Sequence, residues 1–343
     1  MENERIYIPM LSVNPHGICT YWDYIGPRRV SWEAERPKET DPDTKPDRKR
    51  FAHNGIMSNH ACKKLRTAIE WLNLIARKKK IWDINSKSWL HFKVNFVTLT
   101  LPAPQRHSDQ QIKSRCLNYL LIELRKFHHM RNYVWRAEKQ ENGNIHFHLA
   151  TDSYIPADKL RQRWNRICNQ FGYVDDYTAK MRREITCFAD YYNKFINQGS
   201  YETLMRRYNY GKRTGWTDPN STDIHSVKKI KDLVAYLYKY FSKNIPHPER
   251  LTDEERERLT VKGMLWGLSE SLSKMKPITM VVDSFIGQEI SRLFREIKSK
   301  VITERFFEFK VLDIRKIRDH NCHAIWQEIT DTLFKHFKIN VLF

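Results

Sequence analysis

His146 and His148 stand two residues apart in the run "EKQENGNIHFH" (138–148). On a β-strand this spacing projects both imidazoles from one face and Phe147 from the other. The pair is therefore either part of a metal site or two histidines on an ordinary strand, and a third ligand decides between them. Asn142-Gly143 predicts a hairpin, and the loop length determines which side chain meets the imidazoles. A strict two-residue turn brings Lys139 and Glu141 to the histidine face and sets Glu138 opposite Phe147. One extra loop residue, or a bulge with Gly143 at positive φ, brings Glu138 and Gln140 there instead. A lysine would repel a cation, whereas Glu138 completes an N, N, O set with positions left for water and phosphate, suited to Mg²⁺ or Mn²⁺. The expectation is an odd-length loop or glycine bulge at 141–144 and a cluster of Glu138, His146 and His148, with Gln140 as a neighbour.

A second chemical group lies in "HSVKKIKDLVAYLYKYFSKN" (225–244). Ser226 suits an N-cap, and Val227, Ile230, Val234, Leu237 and Phe241 recur as a core-facing seam. Tyr236 and Tyr240 are one turn apart beside that seam, with Lys239 and Lys243 each three residues beyond a tyrosine. Tyr238 points the opposite way. The bland alternative is that phenols and ammonium groups extend to water from the border of a core helix. The chemical reading is that a phenol, a poor nucleophile at its ordinary pKa near 10, attacks a phosphodiester when a cation and a metal are close.

The elements that must position these groups are legible in outline. "KVNFVTLTLP" reads as a strand with Phe96, Thr98 and Thr100 on one face, and two threonines on a buried face need something polar beside them, so Thr98 and Thr100 are candidate DNA contacts. Ser108 and Asp109 start a helix with Ile112, Cys116, Leu120 and Leu124 on one stripe. After the hairpin, Pro156 begins a helix to about Gln170. An earlier helix begins at Ser58, its stripe Ala61, Leu65, Ile69, Leu72 and Ile75. The order of elements predicts an α+β fold, a central antiparallel β-sheet covered by helices. Residues 33–50 read as a charged, proline-spaced loop, and 301–312 as strand between helix patterns, beyond a capping box of Thr252 with Glu255. Residues 189–222 interleave Tyr, Trp, Arg and Lys without evident periodicity. They read as a long charged loop, either pinned by its aromatics or offering Tyr208, Tyr210, Lys212, Arg213 and Trp216 to single-stranded DNA.

Composition points to the partner. Among 343 residues, 60 Lys and Arg against 40 Asp and Glu give a net charge of +20, and 13% of residues are aromatic. Such a chain suits phosphate neutralisation and base stacking. No long apolar run or lipidation signal marks a membrane protein, so a soluble cytoplasmic protein is expected. Six cysteines without a Cys-x-x-Cys pair argue against a disulfide framework, and "HNCH" (320–323) would need outside ligands to hold zinc. The absence of a phosphate-binding G-x-x-x-x-G-K-[ST] motif excludes that class of nucleotide-driven motor.

Together, "FVTLTLP", "EKQENGNIHFH", "AYLYKYFSKN" and the later "KGMLWGLSESL" resemble, in order, the motifs of the HUH endonucleases that initiate rolling-circle replication, the Rep proteins. Glu138 stands eight residues before His146 as in the geminivirus Rep pattern, and the tyrosine stretch is similar to the two-tyrosine helix of the microvirus gene A type initiators. The resemblance spans about 93 to 272. It implies an RRM-like palm with N- and C-terminal extensions, divided as 1–80, an endonuclease domain at 81–245 with an insertion at 189–222, and an α/β extension at 246–343. It also implies catalytic Tyr236, Tyr240, Lys239 and Lys243, a divalent ion, and nicking of single-stranded or extruded origin DNA. The products would be a 5′-phosphotyrosine and a free 3′-OH. Helicase and polymerase would come from a bacterial host. A single-strand transposase or mobilisation relaxase would share the chemistry, although the third histidine typical of conjugative relaxases is missing, and a non-catalytic origin binder would keep only the fold.

Overall fold

In the computed structural model, which describes residues 6–15, 17–25, 55, 57–76, 79–83, 87–226, 239, 252–281, 300–304, 307–312, 327 and 331, backbone pairing divides the chain into two units, 53–273 and 1–52 with 274–343. The second unit opens with β1 (Ile6–Asn14) and β2 (Gly17–Ile25), antiparallel from Ile6 opposite Ile25 to Asn14 opposite Gly17. The C-terminal part of the chain adds three strands to these. Thus 1–52 contributes a hairpin to a sheet rather than an extension alone.

The larger unit begins with α1 (Asn59–Ile75), whose N-cap Ser58 accepts the Ala61 N–H at 3.2 Å and whose Leu65, Ile69 and Leu72 are fully buried, as their spacing predicts. A separate two-stranded ribbon follows, β3 (Lys79–Asp83) with β4 (Ser88–Phe92). Then comes β5 (Asn95–Leu99). A capping box of Ser108 with Gln111 starts α2 (Asp109–Gln111), which runs through a π-helical segment (Ile112–Leu117) into α3 (Asn118–His128). The hairpin of β6 (Tyr133–Lys139) and β7 (Ile145–Thr151) precedes α4 (Ala157–Asn169) and α5 (Tyr173–Glu184).

Residues 189–222 are not an irregular loop. They form α6 (Phe188–Phe195), a 3-10 turn, α7 (Tyr201–Thr214) and the start of β8 (Thr222–Ser226). Phe188, Tyr191 and Phe195, and then Leu204, Tyr208 and Gly211, recur every three or four residues, a helical period masked by interleaved charges. Tyr191, Leu204 and Trp216 build a core with Met181 and Ile185. The Trp216 indole lies against Gly211, where a β-carbon would come within 2.0 Å of the ring.

The unit closes with α8 (Asp253–Leu259), capped by Thr252 and Glu255 as expected, β9 (Trp266–Leu268) and the short α9 (Glu270–Ser273). Its sheet has the order β8-β5-β7-β6-β9, every pair antiparallel. This is the α+β architecture the order of elements predicts, consistent with an RRM-like palm. α1 and β9 lie within this unit, so the sequence divisions at 80/81 and 245/246 do not coincide with its ends. The Phe147 face of the sheet packs on α4, with Phe147 and Trp164 edge to face at 6.2 Å and the Trp164 indole N–H donating to the Thr100 carbonyl at 2.7 Å. Both rings are fully buried, so truncating either to alanine should cost about 3–5 kcal/mol. On the histidine face α1 packs beside β6, and Arg136 donates to the Met57 sulfur.

In the second unit, β10 (Ile278–Val281), β11 (Lys300–Glu304) and β12 (Phe307–Leu312) complete an antiparallel sheet of order β10-β1-β2-β12-β11. The single strand expected at 301–312 is thus a hairpin.

Candidate metal centre

The hairpin loop has three residues, Glu141-Asn142-Gly143. Gln140 N–H donates to the Asn144 carbonyl at 2.9 Å, Gly143 N–H to the Gln140 carbonyl at 2.8 Å, and Gly143 takes φ +82, a left-handed conformation that favours glycine. This is the odd-length loop the metal reading requires. It sets Glu138 opposite His146 and Arg136 opposite His148, so these four side chains share one face.

Lys139 falls on the other face, where its ammonium is neutralised. It donates to Asp109 at 2.7 Å and to the Gly143 carbonyl at 2.9 Å. Gln105 joins the same knot, donating to Asp109 at 2.7 Å and accepting the Ile145 N–H, while the Asn144 amide takes the Gln105 N–H at 2.8 Å. Burial would raise the Asp109 carboxyl, but hydrogen bonds from Lys139, Gln105 and the Lys262 N–H outweigh it and hold the group below its ordinary value. Lys113, which donates to the Lys262 and Met264 carbonyls, is pushed down by burial to about 8. A buried polar network therefore fixes the loop, and with it the parity of the strand that carries Glu138.

Three donor atoms converge on the histidine face. Glu138 Oε1 lies 2.6 Å from His146 Nε2 and 2.9 Å from His148 Nε2, and the two nitrogens are 3.1 Å apart. Three ligands at right angles around an ion with bonds of about 2.1 Å would be separated by about 3 Å, so the spacing fits one octahedral face. His148 Nδ1 lies 3.2 Å from the Thr98 hydroxyl, and its ring stacks on Phe96 at 5.2 Å. With Nδ1–H donating to Thr98, the Nε2 lone pair faces the cluster. Burial of Glu138 opposes ionisation, yet hydrogen bonds from both imidazoles, aided by their charge, hold it well below the usual carboxylate range. Burial pushes His148 down, outweighing the hydrogen bond from Glu138. An ionised carboxylate and a neutral imidazole are the forms a hard divalent ion requires. Among the described residues, the buried Nδ1 of His146 has no hydrogen-bond partner.

Of the residues expected to contact DNA, Thr98 touches the cluster through His148. The Thr100 hydroxyl is used in the fold, donating to the Ser221 carbonyl at 3.0 Å. Trp216 is 5% exposed and closed to a base. Tyr208 packs beside it, and Tyr210 donates to Asp218 and accepts from Arg161. Lys212 and Arg213 are exposed, the latter over the Tyr210 ring. Lys239 is helical and exposed. Tyr236, Tyr238, Tyr240, Lys243 and the 320–323 run lie outside the described residues. Sequence reasoning missed Arg136 and Asp223. β8 places Asp223 opposite Thr98 on the cluster's face, and the hairpin register places Arg136 opposite His148.

Residues 94–196 match the family model of a replication-associated protein, the family named for ORF2 and the gene 2 protein. The match covers less than a third of the chain and supports a replication initiator of the Rep type. It begins at β5, takes in Thr98, Glu138, His146 and His148, and ends just after α6. No curated protein and no solved structure matches the chain. Among the described residues, no helix is long and apolar enough to cross a membrane.

Proposed function

We propose that this Rep-type protein nicks and rejoins single-stranded or extruded origin DNA, with a tyrosine as nucleophile and a divalent ion held by Glu138, His146 and His148. The observation that carries this reading is the convergence of one carboxylate oxygen and two imidazole nitrogens on a common point. Three such acceptors so close together repel one another unless a proton or cation lies between them. Bound there, Mg²⁺ or Mn²⁺ would supply Lewis-acid polarisation of the phosphoryl oxygens.

The chain's own residues would divide the remaining work. Thr98 and Phe96 hold the His148 ring, and the Lys139–Asp109 knot keeps Glu138 on the correct face. Tyr236 or Tyr240, with Lys239 or Lys243 favouring the phenolate, attacks phosphorus. The phenolic proton is given up, the bond from phosphorus to the 3′ oxygen breaks, and that oxygen takes a proton. A 5′-phosphotyrosine and a priming 3′-OH result, and a second tyrosine permits a second transfer. Unwinding and synthesis fall to a host helicase and polymerase.

Incubation with a labelled single-stranded origin-like oligonucleotide tests this reading. Cleavage is expected with Mn²⁺ or Mg²⁺, is expected to vanish with EDTA, and should be lost in His146→Ala and His148→Ala. Cleavage that survives EDTA and both substitutions would defeat it. Binding without cleavage under every ion would favour a non-catalytic origin binder.

A further inference from the structure

The ribbon of β3 and β4 presents a feature that the metal centre does not use. Trp82 and Trp89 sit directly opposite each other across the two strands, and Lys80 opposite His91. Alternation puts all four side chains on one face. Trp82 is 48% exposed and Trp89 52%, and Lys80 and His91 are exposed as well. The indoles meet edge to face at 5.5 Å, with the Lys80 ammonium 4.6 Å from the centre of the Trp89 ring. The opposite face is anchored. Phe92 is buried and packs on Tyr154 at 5.7 Å, and Lys79 donates to the Asp152 carbonyl, tying the ribbon to the chain just beyond β7.

A two-stranded ribbon is marginal by itself, and two half-exposed indoles side by side on its outer face do nothing for its packing. Large exposed aromatic groups in one patch mark a place where something binds. The chemistry of the face selects the occupant. It carries π surfaces and a lysine, in a chain of net charge +20. Splayed bases stack on indoles and phosphates pair with the ammonium, whereas the bases of an intact duplex are already stacked on one another. The ribbon also leads towards the proposed chemistry. From Phe92 the chain passes through β5 to Thr98, the residue beside His148, a path on the order of 20 Å of extended strand.

We infer that the β3–β4 ribbon is a stacking platform for single-stranded DNA, holding bases on Trp82 and Trp89 a few nucleotides from the phosphate presented to Glu138, His146 and His148. The inference rests on the single-strand substrate of the proposed function and adds to it a contact surface outside the region matched by the family model.

The test is fluorescence anisotropy of a fluorescein-labelled oligothymidylate with the full chain. The double variant Trp82→Ala, Trp89→Ala should bind more than tenfold more weakly, with the slope of log affinity against log salt unchanged. The pair Trp82→Phe, Trp89→Phe should stay within a few-fold of the wild type. Lys80→Ala should lower the magnitude of the salt slope by about 0.7. Both tryptophans are at the surface, so circular dichroism of the variants should match the wild type. A double alanine variant within twofold of the wild type would overturn the platform, as would an equal loss on duplex DNA or a preference for oligouridylate of the same length. Metal-dependent cleavage by the wild type is read in parallel. Ribbon-dependent binding without cleavage defeats the nicking reading and leaves the platform standing, and cleavage indifferent to both tryptophans does the reverse.

Discussion

Glu138→Gln keeps the size of the side chain and removes its charge, so it isolates the role of the carboxylate in the cluster. In the structure that carboxylate supplies the only oxygen of the converging set, within 3 Å of both Nε2 atoms. Changes to groups that merely support a metal ligand typically weaken binding ~10–100-fold, and loss of a direct anionic ligand should exceed the upper end. At 1.36 kcal/mol per decade, a hundredfold loss is about 2.7 kcal/mol. The control is Glu141→Gln. Glu141 is the carboxylate that a two-residue turn would have brought to the histidine face, and the three-residue loop places it in the turn. Mn²⁺ titration followed by electron paramagnetic resonance gives both affinities, and thermal melting without metal checks the fold. The expected result is a loss above about 100-fold for Glu138→Gln and less than about twofold for Glu141→Gln. Equal affinities in the two variants would refute the register argument.

Further outcomes follow from the surrounding structure. Gly143→Ala forces a β-carbon into the left-handed region beside the Arg258 side chain and should lower stability by about 1–2 kcal/mol, measured by urea denaturation, with Mn²⁺ affinity falling in parallel as the loop loosens. Lys113, held near 8, binds fewer protons folded than unfolded between that value and its ordinary 10.5. Its contribution to stability therefore rises with pH across that window, by up to about 3 kcal/mol. Lys113→Met should remove that rise from melting profiles taken between pH 8 and 10, and an unchanged profile would contradict the assignment. Trp216→Ala should destabilise the core shared by α5, α6 and α7 by about 3–5 kcal/mol, while its affinity for single-stranded DNA, measured where the variant remains folded, stays near that of the wild type. A large loss of affinity in folded Trp216→Ala would return this residue to the DNA-binding surface.

Strand parity made the metal centre legible before any coordinates. His146 and His148 had to share a face, and Asn142-Gly143 had to turn the chain. What local sequence could not choose was the loop length, because Asn-Gly serves two- and three-residue hairpins alike. Long-range burial chooses it here, with Phe147 on Trp164 and Lys139 on Asp109 both requiring Glu138 on the opposite face. The helices at 188–195 and 201–214 escaped notice because Arg and Lys interleave with their aromatic stripes, although the spacing of Phe188, Tyr191 and Phe195 is helical. β8 was merged with the stretch that follows it, since five residues carry too little pattern to separate Thr222–Ser226 from a helix expected at 225–244. β1 and β2 gain partners from residues more than 250 positions away, and such pairing leaves no local trace.

The central claim is that a tyrosine becomes covalently linked to DNA at a metal centre of Glu138, His146 and His148. Its most direct test is mass spectrometry of the peptide–nucleotide adduct formed on single-stranded DNA with Mn²⁺. The account predicts an adduct on Tyr236 or Tyr240 that is absent with EDTA and absent in His148→Ala. An adduct on Tyr238, or one that forms without a divalent ion, would contradict it.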